Sequence, residues 1–414
     1  MRPLFTLFLL LVLPVASQSS TEGVYARYRD TVLQVKIVDV ASGAKASIGS
    51  GFMVSADGLV VTNYHVVAEL IHQPGRYRAE YIRGDAGGSG PLQLLDIDVV
   101  HDLALLRGAK LTGAFLRPRL DVPAKGERLF AFGNPHDLGL TIVEGTCNGL
   151  LEDSLYDKIH FTGAINAGMS GGPVIDGRGA VVGVNVASGG NQLGFLVPAR
   201  HVAALLKGSG GNPAEPLLER VRSQLLANQD RYMRGLLGKP FVTEKIKGYD
   251  LPARLAPFLK CWGDSRHEPD NLYDQVVQTC ASDDDIFLTR QQATGGIRFR
   301  HDHYSSADLG PVRFYGLMER QFNKPDFDPD GDEKSVANFV CTSDLVAGGG
   351  SDVKVVFCLR PYKKLKGLFD AYLSVATLAG RDQALQSSLL ISGVSDANAL
   401  AFARSYLEAI RWNP

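Results

Sequence analysis

The chain of 414 residues has almost no net charge and lacks any apolar run long enough to cross a bilayer. It carries 43 basic and 44 acidic residues, which leaves a net charge of −1 at pH 7. Because there is no excess of positive charge, the composition does not favour binding to nucleic acid or to an anionic membrane surface. The apolar run over residues 4–13 is far shorter than the roughly 20 residues that a membrane-spanning helix needs.

Residues 1–17 have the pattern of an export signal. Arg2 precedes the apolar run, and the small residues Val15, Ala16 and Ser17 follow it, as at a signal cleavage site. We therefore expect removal of residues 1–17. The mature protein is expected to be periplasmic or secreted and not to associate with a membrane.

Cysteine is also scarce, with five in the chain. Four of them, Cys261, Cys280, Cys341 and Cys358, fall late in the sequence, and export permits disulfides. Four cysteines allow three connectivities. We predict Cys261–Cys280 and Cys341–Cys358, because each pair closes a short loop. The fifth, Cys147, lies in an apolar, glycine-flanked segment and is predicted to be a buried, inert thiol.

The length predicts two folding units and a connector, because a chain of this size exceeds what one hydrophobic core usually organises. Residues 22–205 contain many short runs of Val, Ile, Leu and Phe that are interrupted by Gly, Asp and Asn, which is typical of antiparallel barrels or sandwiches. Residues 206–245 are predicted to be a helical connector, with a helix over residues 216–237. Residues 246–414 are predicted to form an α+β domain that contains the disulfides.

A second helix is predicted near the end of the chain. Ser395 or Asp396 is a suitable N-cap, and apolar residues recur at helical spacing after it. The predicted buried face consists of Leu400, Phe402 or Ala403, Tyr406, Leu407 and Ile410.

Two segments contain a histidine and an aspartate of the kind that catalysis uses. His65 follows an apolar run, and by itself it would be interpreted as a packed core histidine. Asp102 immediately precedes the apolar residues 103–106, so its charge enters a region of low dielectric and needs a partner. A histidine N–H is a suitable partner, because the carboxylate then fixes the imidazole tautomer and balances the charge that forms during the reaction.

A third segment places Ser170 among glycines. Gly168, Gly171 and Gly172 surround it, and Pro173 follows. Glycine permits backbone conformations that turn successive N–H groups toward one point. The N–H groups of Gly168 and Ser170 are therefore predicted to form an oxyanion hole, in which each donor contributes about 3–4 kcal/mol.

These three segments are similar to the catalytic segments of trypsin-like serine peptidases, and most similar to the HtrA/Deg branch. The order His65, Asp102, Ser170 along the chain is the one that this fold uses. Residues 49–52 upstream and 194–198 downstream match the same branch. The resemblance implies a trypsin-like double β-barrel, with His65 and Asp102 in the first six-stranded barrel and Ser170 in the second. With the helical connector and the α+β domain predicted from the sequence pattern, the expected fold class is mainly β. It covers roughly residues 24–202, and no PDZ domain is recognisable after them.

Two positions depart from the patterns of related peptidases. Met169 precedes the nucleophile, where digestive enzymes carry an Asp that receives a newly formed N-terminus, so activation by that ion pair is not expected. HtrA proteins usually carry Asn there, which makes Met169 a position that can alter the oxyanion hole. Ala164, six residues before Ser170, occupies the position that resembles the base of the specificity pocket in these peptidases. With no carboxylate there, the resemblance predicts small or medium apolar P1 residues in preference to Lys or Arg.

Two other segments match metal sites only in part. Residues 326–331 resemble the opening of an EF-hand loop, but Ala337 stands where the bidentate Glu belongs. A solvated acidic turn is the favoured interpretation, and calcium is the alternative. His301 and His303 share a strand face with no third ligand evident, which favours exposed polar residues over a metal site. We predict no metal and no cofactor.

Together, these patterns predict an exported serine endopeptidase that hydrolyses protein or peptide substrates through a triad and an acyl-enzyme intermediate. One alternative is a catalytically silent scaffold on a protease fold, which binds partners through its C-terminal domain. Another is a protease that only processes itself, while the C-terminal half performs recognition. The oligomeric state is left open.

Overall fold

A computed structural model of the chain describes residues 20–84, 88–188, 190, 192–208, 215–267, 272–324, 327, 331–348, 350–378 and 380–412. The predicted export signal at residues 1–17 lies outside these ranges. So do Asp326, Asp328 and Asp330 of the calcium hypothesis. Within the described ranges, no helix is both long and apolar enough to cross a membrane.

Six antiparallel strands form a first, closed barrel. They are β1 (Val32–Asp39), β2 (Lys45–Met53), β3 (Leu59–Thr62), β4 (Tyr77–Arg83), β5 (Gly88–Asp98) and β6 (Leu103–Gly108). Their order is β1-β2-β3-β6-β5-β4, and β4 pairs back with β1. Helix α1 (Thr21–Tyr28) precedes the barrel, and helix α2 (Tyr64–His72) follows β3. Closure leaves no free edge, which suits the β-branched and leucine-rich strands.

A second barrel follows. Its strands are β7 (Arg117–Pro118), β8 (Arg128–Gly133), β9 (Thr141–Leu150), β10 (Ile159–Thr162), β11 (Pro173–Asp176), β12 (Ala180–Ser188) and β13 (Gly194–Pro198). Six of them run β11-β8-β9-β10-β13-β12, and the pairing of β11 with β12 closes the ring, while β7 adds to β12 in parallel. The predicted double β-barrel is confirmed.

The two barrels share one apolar core. Phe52, Val61 and Leu105 of the first barrel and Phe130 and Ile175 of the second belong to the same buried cluster. Helix α3 (Ala199–Gly208) follows β13 and contributes Ala199, Val202 and Leu205 to that cluster. The barrels therefore hold a fixed position relative to one another, which a site at their junction requires.

Helix α4 (Leu217–Leu237) confirms the predicted helix of the connector. Val221 and Leu225 pack with the core of the first barrel. Tyr232 and Met233, farther along the helix, pack with the core of the C-terminal region. The connector is therefore not a free linker, because its apolar face belongs to two cores.

The C-terminal region is α+β, as predicted. Its strands are β14 (Thr243–Ile246), β15 (Tyr249–Pro252), β16 (Leu259–Arg266), β17 (Asp274–Ser282), β18 (Ile286–Thr289), β19 (Gln292–Thr294), β20 (Ile297–Ser305), β21 (Val340–Gly348), β22 (Ser351–Pro361), β23 (Phe369–Thr377), β24 (Gln383–Val394) and β25 (Arg411–Trp412). Seven strands form an antiparallel sheet of order β16-β17-β20-β24-β23-β22-β21, while β14-β15-β25 form a small sheet and β18–β19 a hairpin. Its helices are α5 (Pro311–Phe322) and α6 (Asp396–Glu408).

Both predicted disulfides are confirmed. Cys261–Cys280 joins directly opposite residues of β16 and β17, and Cys341–Cys358 joins directly opposite residues of β21 and β22. These strand pairs lie at the two ends of the seven-stranded sheet. Cys147 is buried and free, as predicted, and its burial raises the pKa of the thiol, which keeps it protonated and unreactive.

Helix α6 begins where the sequence predicts, because the Ser395 side chain accepts a hydrogen bond from the Asn398 N–H at 3.3 Å. Phe402 and Tyr406 are buried, as expected. Leu400 is 54% exposed, so its assignment to the buried face is wrong. The buried stripe runs through residue 399 instead, and one position along a helix turns a side chain by about 100°.

The prediction that His301 and His303 are exposed is wrong. Strand β20 lies inside the sheet between β17 and β24, and both histidines are buried. His301 Nε2 lies 3.0 Å from the Pro252 carbonyl oxygen, and Nδ1 lies 2.9 Å from Ser387 Oγ. Burial lowers the pKa of His301 to about 4, so the ring is neutral and both nitrogens are engaged. This histidine is a satisfied core residue.

Candidate active site

The three predicted catalytic residues come from three elements near the junction of the barrels. His65 lies in the first turn of α2, Asp102 in the turn before β6, and Ser170 in the loop before β11. The loop of Ser170 packs against the turn that leads into α2. A Cβ atom on Gly171 would lie 2.2 Å from Thr62 Oγ1, so only glycine permits this approach.

His65 and Asp102 form a tightly bonded pair. His65 Nδ1 lies 2.6 Å from Asp102 Oδ2, and the His65 backbone N–H donates to Asp102 Oδ1 at 2.8 Å. A carboxylate only accepts, so Nδ1 carries the proton and Nε2 is left with a lone pair. This is the tautomer that a general base needs.

The start of α2 explains why an aspartate stands at position 102. The first N–H groups of a helix have no partner within it. Asp102 satisfies two of them, because its carboxylate accepts from His65 and its backbone carbonyl accepts from Tyr64 at 3.1 Å. Asp102 has a φ of 54°, in the left-handed region that Asp tolerates better than most residues. The same residue therefore orients the imidazole and anchors the helix that carries it.

The pKa of His65 is raised. Burial acts to lower it, but the charge of Asp102 and its hydrogen bond to the ring outweigh that effect. An imidazole with a raised pKa is a stronger base, yet it becomes protonated at a higher pH than an ordinary histidine.

The loop before Ser170 exposes two backbone donors. The Met169 N–H donates to the Asn166 carbonyl at 3.0 Å and closes a four-residue turn, with Gly168 at its third position and a φ of 95°. A Cβ atom on Gly168 would lie 2.4 Å from the Asn134 carbonyl oxygen, so glycine is required there. Among the described residues, the N–H groups of Gly168 and Ser170 donate to no protein acceptor. They are available to an oxyanion.

Ser50 braces this loop, and the sequence analysis assigned it no role. Its hydroxyl donates to the Gly168 carbonyl at 2.7 Å and accepts from the Asn134 N–H at 2.9 Å. Its backbone N–H donates to the Ser170 carbonyl at 2.7 Å. Ser50 is fully buried on β2. A serine between two glycines in a buried strand is the signal in the sequence that points to such a role.

Met169 does not project toward the two donors. Its side chain is fully buried in the core of the second barrel, beside Leu129, Phe161 and Val174. Methionine adapts well to irregular gaps in a core. The residue that replaces the usual Asn therefore anchors the loop by apolar packing.

Ala164 lies on the segment that enters the turn of Gly168, and it is exposed. Phe161 is fully buried behind this segment, and a Cβ atom on Gly163 would lie 2.2 Å from its ring, so glycine is required at position 163. The segment therefore presents a methyl group and backbone to a substrate, with no acidic side chain at position 164.

No hydrogen bond joins Ser170 Oγ to His65 in the described part of the chain. Ser170 is half-buried, and 26% of the His65 side chain is exposed. Catalytic hydrogen bonds are often long without substrate and tighten when it binds. The arrangement brings an imidazole base, a serine loop and two free backbone donors to one face of the barrel junction.

Comparison with known proteins shows what residues 49–184 are similar to. Residues 49–184 match the model of the trypsin-like peptidase domain. The curated relatives of this region are named as proteases, and they support the HtrA/Deg branch.

Three such relatives illustrate the similarity. Serine protease HTRA1 of Xenopus laevis is 33% identical over 168 residues, which are 38% of this chain and 35% of the relative. Protease Do-like 5, chloroplastic, of Arabidopsis thaliana is 34% identical over 167 residues, 37% of this chain and 51% of the relative. A probable periplasmic serine endoprotease DegP-like of Bartonella henselae is 36% identical over 164 residues, 37% of this chain and 31% of the relative.

The peptidase domain thus matches a third to a half of each of these relatives. A solved structure, that of Deg5, is 26% identical with a TM-score of 0.40, and the match covers 44% of this chain and 90% of that one. The C-terminal α+β domain lies outside residues 49–184. Its function has to be inferred from its own contacts.

Proposed function

We propose that the chain is an exported serine endopeptidase that hydrolyses peptide bonds with Ser170 as nucleophile, His65 as general base and Asp102 as orienting acid. The observation that carries the proposal is the pair of unengaged N–H groups, on Gly168 and Ser170, in a turn that a buried serine braces. Two idle donors in one turn are unusual, because nearly all backbone N–H groups in folded proteins are paired. Such a pair can stabilise an oxyanion.

The proposed reaction follows from the hydrogen-bond pattern. His65 Nε2 takes the proton of the Ser170 hydroxyl as Oγ attacks the peptide carbonyl, and the carbonyl oxygen becomes an anion held by the two N–H groups. The imidazolium, stabilised by Asp102, then gives its proton to the leaving amine. Water hydrolyses the acyl-enzyme by the same route and restores the serine.

The proposed P1 preference is for small or medium apolar residues. Ala164 is exposed and offers no charge to a Lys or Arg side chain, so this position gives a basic P1 residue no ion pair. Cleavage of a proteome-derived peptide library, followed by sequencing of the new ends, tests this. Enrichment of Ala, Val or Leu at P1 is expected, and strong selection of Lys or Arg would contradict it.

Export is proposed on three grounds. Residues 1–17 have the pattern of a signal, and the two disulfides of the C-terminal domain are of a kind that persists in oxidising compartments. The relative from Bartonella henselae is described as periplasmic. Fractionation of cells that produce the full chain, with mass determination of the mature N-terminus, tests both export and cleavage after residue 17.

The competing function is a scaffold on a silent protease fold, which the missing hydrogen bond between Ser170 and His65 favours. Hydrolysis of an unfolded protein such as casein distinguishes the peptidase from the scaffold, with the Ser170→Ala variant as the matched control. Turnover that the Ser170→Ala change abolishes supports the peptidase. A folded wild-type protein without turnover supports the scaffold. The intact mass of both proteins after storage shows whether cleavage is confined to the chain itself.

A further inference from the structure

A hairpin of the C-terminal domain lies against the catalytic histidine. The ring of Phe287, on β18, meets the His65 imidazole edge-on, with centroids 5.8 Å apart and planes inclined by 65°. On the next residue, the Leu288 carbonyl lies 3.5 Å from the Tyr64 hydroxyl of α2. The hairpin therefore touches the first turn of the helix that carries the base.

The turn before this hairpin is fixed to the second barrel. Asp284 is buried, and its carboxylate accepts hydrogen bonds from Ser154 Oγ at 3.0 Å, the Leu155 N–H at 2.6 Å and Lys158 Nζ at 2.6 Å. A buried carboxylate with a cation and two further donors is strongly held, because removing any partner leaves an unsatisfied charge.

The hairpin is fixed to the first barrel as well. Ile286 and Leu288 are buried in the same apolar cluster as Val67 of α2 and Val99. Beyond the strand, the Arg290 guanidinium donates to the Ala46 carbonyl at 2.9 Å. Anchors on both barrels hold Phe287 in one place beside the barrel junction.

An open cavity of about 220 Å³ lies between the hairpin and the barrels. Its lining includes His65, Asp102, Val99, Tyr156, Ile286 and Phe287. One water molecule occupies about 30 Å³ in the liquid, so the cavity has room for one large side chain. Most of the exposed lining is apolar, and aromatic walls stabilise apolar side chains that leave water.

This cavity is separate from the P1 position. Its described lining does not include Ser170, Gly168 or Ala164. A peptide that reacts at Ser170 must also pass His65, because the imidazole exchanges protons with both Oγ and the leaving amine. A residue of the bound peptide other than P1 therefore reaches the mouth of the cavity.

We propose that the C-terminal domain supplies one wall of a substrate subsite, in which Phe287 and Ile286 bind a large apolar side chain at a single position other than P1. The proposal rests on the proposed peptidase function. The partial exposure of His65 argues that the hairpin forms a wall and does not plug the site.

Positional scanning of peptide substrates tests the subsite. In the wild type, one position other than P1 is expected to prefer Leu or Phe over Gly. The Phe287→Ala change should lower kcat/KM for the Leu and Phe peptides about tenfold, as loss of one apolar wall does in other pockets. Peptides with Gly at that position should be unaffected. Phe287→Leu should restore most of the preference, and Phe287→Trp should shift it toward smaller side chains.

Gln291→Ala is the matched control, because Gln291 is exposed on the same hairpin. It should leave every preference unchanged. Unchanged preferences in Phe287→Ala would overturn the subsite, and so would a rise in activity toward all peptides, which identifies the hairpin as a plug.

A small alkyl fluorophosphonate separates this proposal from the peptidase itself. It reacts at Ser170 without filling the cavity, so its rate should be equal in wild type and Phe287→Ala. No reaction with the folded wild type would contradict the peptidase and the subsite together. Normal reaction with unchanged peptide preferences would contradict the subsite alone.

Discussion

The barrels and the C-terminal domain differ in how strictly the site determines the residue at each position. In the barrels, position 102 must be a carboxylate that accepts two N–H groups, and position 168 must lack a Cβ atom. In the C-terminal domain, the residue at position 287 only has to be apolar and of suitable size. Reacting groups therefore leave a motif in the sequence, whereas the wall of a cavity does not.

The two regions also differ in how their sheets end. Both barrels close, and closure removes edges. The seven-stranded sheet is open, and its outermost strand pairs are each joined by a disulfide. Trp262 and Leu345 on those outer strands are exposed. Covalent links thus stabilise the region that has open edges.

The largest effect is expected in the barrels. Ser170→Ala and His65→Ala should each lower kcat for peptide hydrolysis roughly 10⁴-fold or more, because the members of a triad act as a unit. His267→Ala, an exposed histidine of the C-terminal region, is the control and should be silent. Near-normal turnover in either barrel variant would place the chemistry elsewhere.

The next effect concerns the stability of the C-terminal domain. Replacing Cys261 and Cys280 together by Ser should lower the free energy of unfolding by about 3 kcal/mol, the loop-entropy effect of a link over some 19 residues. Both tryptophans, Trp262 and Trp412, lie in this region. Urea unfolding followed by their fluorescence therefore reports on this domain. An unchanged midpoint would show that the open sheet does not depend on the link.

A smaller effect is expected at the brace of the oxyanion loop. Ser50→Ala removes the hydrogen bonds to Gly168 and from Asn134, so kcat should fall roughly 10–100-fold with little change in KM. Ser47→Ala, on the same strand, is the matched control. A change in KM with kcat intact would instead assign Ser50 to substrate binding.

The smallest effect is a shift on the pH axis. Asp102 raises the pKa of His65 above the ordinary histidine value of 6.5. As the pH falls, the imidazole therefore becomes protonated, and activity is lost, at a higher pH than for an ordinary histidine. Asp102→Asn removes the charge, and the pKa should fall. NMR titration of the His65 Cε1 proton measures both values, and a wild-type pKa below 6.5 would contradict the contribution of Asp102.

The sequence predicted features that depend on local signals, and it missed contacts between residues far apart in the chain. The double barrel was predicted from the resemblance of the three catalytic segments to trypsin-like peptidases. The disulfides, helix α4 and the start of α6 were predictable because cysteine spacing, apolar periodicity and capping are local signals. The burial of His301 was missed, because its partners Ser387 and Pro252 lie far along the chain. The contacts of Phe287 were missed for the same reason, since 222 residues separate it from His65.

Covalent labelling with a fluorophosphonate, mapped by mass spectrometry of proteolytic fragments, tests the central claim most directly. We predict one label on the folded wild type, located on Ser170, with no label on Ser170→Ala and strongly slowed labelling of His65→Ala. A folded wild type that stays unlabelled, or a label that survives the Ser170→Ala change, would contradict the account.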